Sequence, residues 1–289
     1  MKARLLLFLL ITSLLIGLQD STSLVVHANE ISSKDVKEES QLKQERKNLQ
    51  DKLPQLQGGA EKSERNRQQP LTHYDLQKKF PGTVILHGPS TAKKIALTFD
   101  DGPDPRFTGQ VLDVLKKHNV PATFFLMGSR ANAYPDIVKR INKEGHIIGN
   151  HSYWHPNLVE EADIGTLERE ISRTEETLNK IIGYRPKLFR PPYGFLYEAL
   201  VEYLAKKEFS VILWTVDSLD WQEDPPEKIA NKVIKETHPG AIILMHDGGE
   251  WDADRTNTIK ALQLIIPQLQ KEGYEFVTVP QLVNIPYKK

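Results

Sequence analysis

The chain has 289 residues, 39% apolar and 26% charged, proportions that allow one sizeable globular domain with extra segments or two small domains. Its 38 basic residues balance 38 acidic ones, which argues against a nucleic-acid binder and against a polybasic membrane anchor. With no cysteine, disulfides, thiolate metal ligands, a cysteine nucleophile and an N-terminal lipid on cysteine are all excluded.

Residues 1–28 have the three parts of an export signal: basic Lys2 and Arg4, an apolar run over 5–18, and Val26-His27-Ala28 before Asn29. The run is short against the roughly 20 residues that span a bilayer. A cleaved signal is therefore expected, and membrane attachment only if the segment stays uncleaved. Cleavage would remove Lys2, Arg4 and Asp20 and leave 36 basic residues against 37 acidic ones.

Residues 29–91 are expected to form a polar spacer and an approach segment. Up to residue 70 the chain is rich in Lys, Glu, Gln, Asn and Ser, with only scattered apolar positions such as Ile31, Val36 and Leu53, too few to bury a core. Leu42, Leu49 and Leu56 have heptad spacing but fall short of the three to four heptads that define a coiled coil. Pro54 and Gly58-Gly59 interrupt the segment.

Over 92–289, apolar runs alternate with helix-period segments, the pattern of repeated β-α units. Strands are expected at 95–99, 122–127, 146–149, 187–189, 211–216, 241–245 and 275–279. Helices are expected at 108–117, 135–144, 164–182, 197–206, 226–236 and 257–270, the last kinked at Pro267. The 164–182 helix has an apolar stripe through Leu167, Ile171, Thr174, Leu178 and Ile181, with Gly183 placed to end it. The fold class is α/β: a distorted or incomplete (β/α) barrel with about seven parallel strands.

Chemistry-bearing residues fall at the expected C-terminal strand ends, where parallel β/α folds gather reactive groups on one face. Five motifs occupy these places: Thr98-Phe99-Asp100-Asp101-Gly102-Pro103, His151-Ser152-Tyr153-Trp154-His155, Arg190-Pro191-Pro192-Tyr193-Gly194, Asp217-Ser218-Leu219-Asp220-Trp221 and Leu244-Met245-His246-Asp247. His151 and His155, four apart, would share a face on one helical turn and could grip one metal ion. Ser152 stands where a helical zinc protease has glutamate, which argues against peptidase chemistry. The alternative is two unrelated histidines.

Adjacent carboxylates such as Asp100 and Asp101 resist ionising together unless a cation compensates them. One could bind a metal while the other accepts a proton from water; the bland alternative is a helix N-cap before a Gly-Pro turn. Arg190, stiffened by two prolines, could hold a carboxylate and leave the Tyr193 N–H to meet an oxyanion, or simply make a structural salt bridge. His246 could act as an acid with Asp220 as partner, or be a hydrogen-bonded core residue. Trp154, Tyr193 and Trp221 could wall a sugar ring or merely pack.

Together the five motifs, in order, resemble the polysaccharide deacetylases of the NodB-homology type, carbohydrate esterase family 4, over about 92–283. The resemblance implies metal-dependent removal of N- or O-acetyl groups, with Asp100 as general base and Asp101, His151 and His155 as metal ligands. It further implies His246 as general acid, Arg190 orienting Asp100, Asp220 tuning His246, and Trp221 and Leu244 lining the acetyl pocket. Tyr193 in its Arg-Pro-Pro-Tyr-Gly loop looks like the branch acting on N-acetylglucosamine polymers. The 250–254 stretch departs from the family in being longer and more acidic, which bears on the edge of the substrate cleft.

The expected substrate is peptidoglycan; chitin oligomers, an exopolysaccharide or acetylated xylan are alternatives within the enzyme class. A noncatalytic wall-binding protein is the alternative outside it. The metal is expected to be Zn, with Co, Ni or Mn accepted by the same donor set. The protein is expected to be secreted or wall-associated.

Overall fold

The computed structural model describes residues 72–159 and 163–289. The expected signal at 1–28 and the spacer through residue 71 lie outside the described residues. Strand alternation explains how the barrel is built. In β2 (Lys94–Asp100), Ile95, Leu97 and Phe99 join an outer apolar layer with helix residues such as Leu112, Leu115 and Leu262. Ala96 on the other face packs with Phe125, Leu188, Ile212 and Ile242 inside the curl. Asp100 shares that inward parity, so the strand delivers a carboxylate to the interior at its C-terminal end.

Among the described residues the named strands all pair in parallel, and two isolated bridges, His87 with Ala241 and Pro186 with Lys288, are antiparallel. The sheet runs β1 (Val84–Ile85), β6 (Ser210–Ile212), β5 (Leu188–Phe189), β4 (Ile147–Asn150), β3 (Thr123–Leu126), β2, β8 (Ile242–His246), β7 (Val216–Asp217), and β9 (Glu275–Phe276) pairs the start of β2. The result is an open, curled half-barrel, the distorted α/β barrel expected from the sequence.

The single strand expected at 211–216 is two strands at opposite sides of the opening. Leu213 N–H donates to Ile85 O at 2.8 Å, whereas Thr215 N–H donates to Ile242 O at 3.2 Å. The chain changes partners within three residues because it crosses the seam. The expected strand at 275–279 stops at Phe276, since Thr278 caps a short helix instead.

Outer helices are α2 (Thr108–His118), α4 (Pro135–Lys143), α5 (Ile164–Ile182), α6 (Glu198–Lys206), α7 (Pro226–Glu236) and α8 (Thr256–Lys271), each matching an expected helix. Asp163 caps α5 by accepting the Thr166 N–H, and Gly183 ends it in the left-handed conformation at φ 78°. The shorter α1 (His73–Lys79), α3 (Gly128–Ala133) and α9 (Val279–Val283) were not expected. α9 seals the N-terminal end of the barrel with Val279 and Leu282, and Val279 N–H donates to Thr123 Oγ1. The opposite end stays open.

Part of the approach segment is built into this unit. α1 buries Leu76 and β1 buries Val84 in one cluster with Phe189, Leu200 and Val211. Among the described residues no helix is long and apolar enough to cross a membrane.

Candidate active site

Register brings the reactive groups together. Asp100 is the direct partner of His246 on β8, and Asp217 is the partner of Leu244. β4 ends at Asn150, so His151 emerges beside them, and Arg190 follows β5. Asp100, Asp101, His151, His155, Tyr193, Trp221, Leu244 and His246 line one cavity of about 190 Å³. Arg190 and Asp220 lie behind its wall, each hydrogen-bonded to a lining residue.

Asp101 turns out of β2 at φ 72°, and its backbone carbonyl is held by Arg130 Nη1 at 2.9 Å. The carboxylate is fully buried, and its Oδ1 lies 3.3 Å from Nε2 of both His151 and His155. Neither carboxylate oxygen has a hydrogen-bond partner. Burial pushes the Asp101 carboxyl upward, but the His155 and His151 rings outweigh it and hold it well below the usual carboxylate range.

The two histidines meet without the helical turn expected from their spacing. Residues 151–158 are irregular, and Ser152 and His155 adopt positive φ of 62° and 64°. Ser152 Oγ accepts the His155 N–H at 3.0 Å, and Pro156 disfavours helix at the residue before it. The His151 imidazole is fixed locally, whereas His155 Nδ1 has no hydrogen-bond partner. The Arg190 carbonyl, an acceptor only, lies 2.8 Å from His151 Nδ1, so the proton sits there and Nε2 turns to Asp101. Burial lowers the His151 pKa, but Asp100 and Asp101 raise it further than burial lowers it; at His155 burial wins and the pKa falls.

These residues fit a divalent cation. A buried carboxylate without a hydrogen-bond donor faces two imidazole nitrogens, and the three donor atoms lie within 4.8 Å of one another. One Asp and two His leave coordination positions for water and substrate. The N-cap alternative for the aspartate pair does not hold, since the residue before α2 is Phe107 and no side chain caps that helix.

Arg190 is wholly buried. Its Nη1 donates to Asp100 Oδ1 and Thr98 Oγ1, both at 2.8 Å, and its Cζ lies 4.1 Å from the Phe125 ring centroid. His246 Nδ1 lies 2.7 Å from Asp220 Oδ1, and Asp220 Oδ2 accepts the Thr258 hydroxyl at 2.9 Å. Burial pushes the Asp220 pKa up, but His246 outweighs it and the net shift is downward.

The cavity has further contributors, of which the sequence marks only Gly194, as a point of close approach. Gly194, Trp214 and Asp217 line the cavity. Trp214 looks like any apolar strand residue in sequence; Asp217 sits in a motif but its role is not marked there. Trp154 does not line the cavity and packs instead on Tyr153 and Arg173. Beneath the aspartate pair lies a buried polar layer. Arg106 pairs with Asp104 at 2.7 Å, and Thr108 Oγ1 lies 2.5 Å from Asp247 Oδ2. Burial and the neighbouring carboxylates push Asp247 up to about 7.

A curled parallel half-barrel carrying an Asp-His-His cluster beside a second aspartate and a histidine is the architecture of a hydrolase, and the comparisons with known proteins agree. The profile described as polysaccharide deacetylase matches residues 87–212. The chain belongs to the polysaccharide deacetylase family, and its similarity extends to a solved member of carbohydrate esterase family 4 at 31% identity and a TM-score of 0.63.

It is 45% identical over 197 residues to a peptidoglycan-N-acetylglucosamine deacetylase of Bacillus cereus, covering 68% of this chain and 70% of that one. It is 42% identical to the peptidoglycan-N-acetylmuramic acid deacetylase PdaC of Bacillus subtilis, covering 67% of this chain but only 39% of the longer relative. Among solved structures, the Bc1960 peptidoglycan N-acetylglucosamine deacetylase superposes with a TM-score of 0.68 at 43% identity, covering 71% of this chain and 94% of that one.

Proposed function

We propose that the protein is a metal-dependent N-deacetylase acting on N-acetylglucosamine units of peptidoglycan. The observation that carries this is the register pairing of Asp100 with His246 across a cavity that also receives Asp101, His151 and His155. A proton acceptor, a proton donor and a cation site thus border one space. The names of the similar proteins support peptidoglycan as substrate.

Asp101, His151 and His155 would hold the metal, with Zn first and Co, Ni or Mn as alternatives for the same donors. When bound it supplies a Lewis acid that polarises the acetyl carbonyl and a means of acidifying water. Asp100 takes the proton of the attacking water, aimed by Arg190. The Tyr193 N–H donates to the developing oxyanion. His246, with its ring orientation fixed by Asp220, gives a proton to the departing amine. Trp221 and Leu244 line the space for the acetyl methyl. Acetate and a free glucosamine amine result.

The signal-like 1–28 segment and the polar composition of 29–71 support a secreted or wall-associated enzyme on a spacer. The test is acetate release by the metal-loaded protein from peptidoglycan, chitin oligomers and acetylated xylan in parallel. Release from peptidoglycan that chelator abolishes is expected. Preference for another glycan would replace the substrate, and no release from any of them would refute the enzyme reading.

A further inference from the structure

Helix α1 lies upstream of the segment matched by the family profile, yet one of its side chains reaches the cavity wall. We infer that His73 is a positioning residue for the deacetylase site: it holds the Pro192–Gly194 turn and Trp214 in place and ties the segment after the spacer to the substrate pocket. This rests on the proposed function only for its kinetic consequence.

His73 Nε2 lies 3.0 Å from the Gly194 carbonyl oxygen. A carbonyl only accepts, so Nε2 carries the proton and donates. The same ring stands edge-on to Trp214, with centroids 5.0 Å apart and planes at 81°. Both residues it touches line the cavity. Burial lowers the His73 pKa, and nearby Arg190 adds to the effect, so the neutral imidazole makes these contacts near pH 7.

The fit leaves no slack. A Cβ on Gly194 would lie 2.6 Å from Trp214 and 2.9 Å from His73 Nε2, and the residue sits at φ +73°. Tyr193, next to it in the same short turn, has φ 62° and a ring 4.5 Å from His155. Whatever fixes Gly194 therefore fixes the amide proposed to meet the oxyanion. α1 is itself anchored: Leu76 is fully buried, and β1 immediately after it pairs with β6.

The test compares His73→Ala and His73→Gln in the full chain, the glutamine amide reaching about as far as Nε2. Hydrogen exchange is followed at Gly194 and Phe195, whose N–H groups close the turn onto the Pro191 and Pro192 carbonyls. Acetate release from N-acetylglucosamine tetramer gives kcat and KM. In His73→Ala, exchange at the turn should accelerate about tenfold with the barrel strands unchanged. Its kcat should fall about tenfold with KM altered less than about threefold, because an oxyanion donor acts mainly in the transition state. His73→Gln should restore most of both.

Unchanged exchange at the turn, a loss confined to KM, or a loss that His73→Gln does not repair would overturn the inference. If the unaltered protein released no acetate from the tetramer or from any of the three glycans named above, the deacetylase reading would fall, while the exchange comparison would still decide whether His73 holds the turn.

Discussion

Asp220 grips His246 at two points: Oδ1 lies 2.7 Å from ring Nδ1, and Oδ2 accepts the His246 backbone N–H at 2.9 Å. The ring and the strand end that carries it are therefore fixed by one buried carboxylate. Nδ1 keeps its proton toward Asp220, and Nε2 is the nitrogen that can exchange a proton with substrate.

Asp220→Asn should keep the shape but lose the charge, lowering kcat about 100-fold, the scale of general-acid assistance. Its pKa is depressed in the folded protein, so the stabilisation is present above its ordinary value of 3.8 and is lost as pH falls through the depressed value. The stability gap between the unaltered protein and Asp220→Asn, measured by urea unfolding, should be widest near neutral pH and close on acidification. A gap independent of pH would contradict this ion pair.

Legibility in the sequence followed the range of the signal. The strand-end motifs were readable because a β-α alternation places every strand's C-terminus on one face, whatever the tertiary details. The partner change between β6 and β7 was not, since 211–216 is a continuous apolar run whose break depends on which strands lie across the seam. The spacing of His151 and His155 suggested a helix, but left-handed turns at Ser152 and His155 bring the rings together instead. His73 and Trp214 carry no motif at all. Their place at the site exists only once α1 packs beside β1, the neighbour of β6.

The roles proposed for Asp100 and for the Asp101-His151-His155 cluster separate in two substitutions. Asp100→Asn should reduce kcat by about 100- to 10,000-fold, the range of general-base loss, while the protein still binds zinc. His151→Ala should weaken zinc binding by at least about 100-fold, as expected when a ligand is removed rather than a supporting group. Equilibrium dialysis with metal analysis reads the second quantity. Full activity in Asp100→Asn would remove it from the base role, and unchanged zinc affinity in His151→Ala would remove that residue from the ligand set.

Asp247 makes the metal-free protein sensitive to pH near neutrality. Its folded pKa is raised to about 7, so its contribution is fully present below the ordinary carboxylate value and is lost as pH rises through 7. His146 works in the opposite sense: burial lowers it to about 4, so its contribution is present above 6.5 and lost as pH falls through 4. Asp247→Asn should therefore remove a loss of a few kcal/mol between about pH 4 and 7 and leave the His146 slope exposed. Parallel urea titrations of the chelator-treated proteins across that range provide the check. Identical pH slopes in the two would refute the assignment.

Arg190 joins the site to the seam of the barrel. While Nη1 serves Asp100 and Thr98, Nε donates to Ile212 O at 3.0 Å and Nη2 to Leu213 O at 3.3 Å, where the chain leaves β6 to cross the opening. Arg190→Lys retains a charge near Asp100 but lacks the planar fork that reaches both carbonyls. It should cost about 2–4 kcal/mol, because buried acceptors lose their donors, and lower kcat about tenfold through a misaimed Asp100. Arg190→Met, which also leaves Asp100 without its charge partner, should cost about 3–5 kcal/mol. Urea midpoints at unchanged slope report the stability terms. A lysine variant as stable as the unaltered protein would mean that the seam is held without the guanidinium.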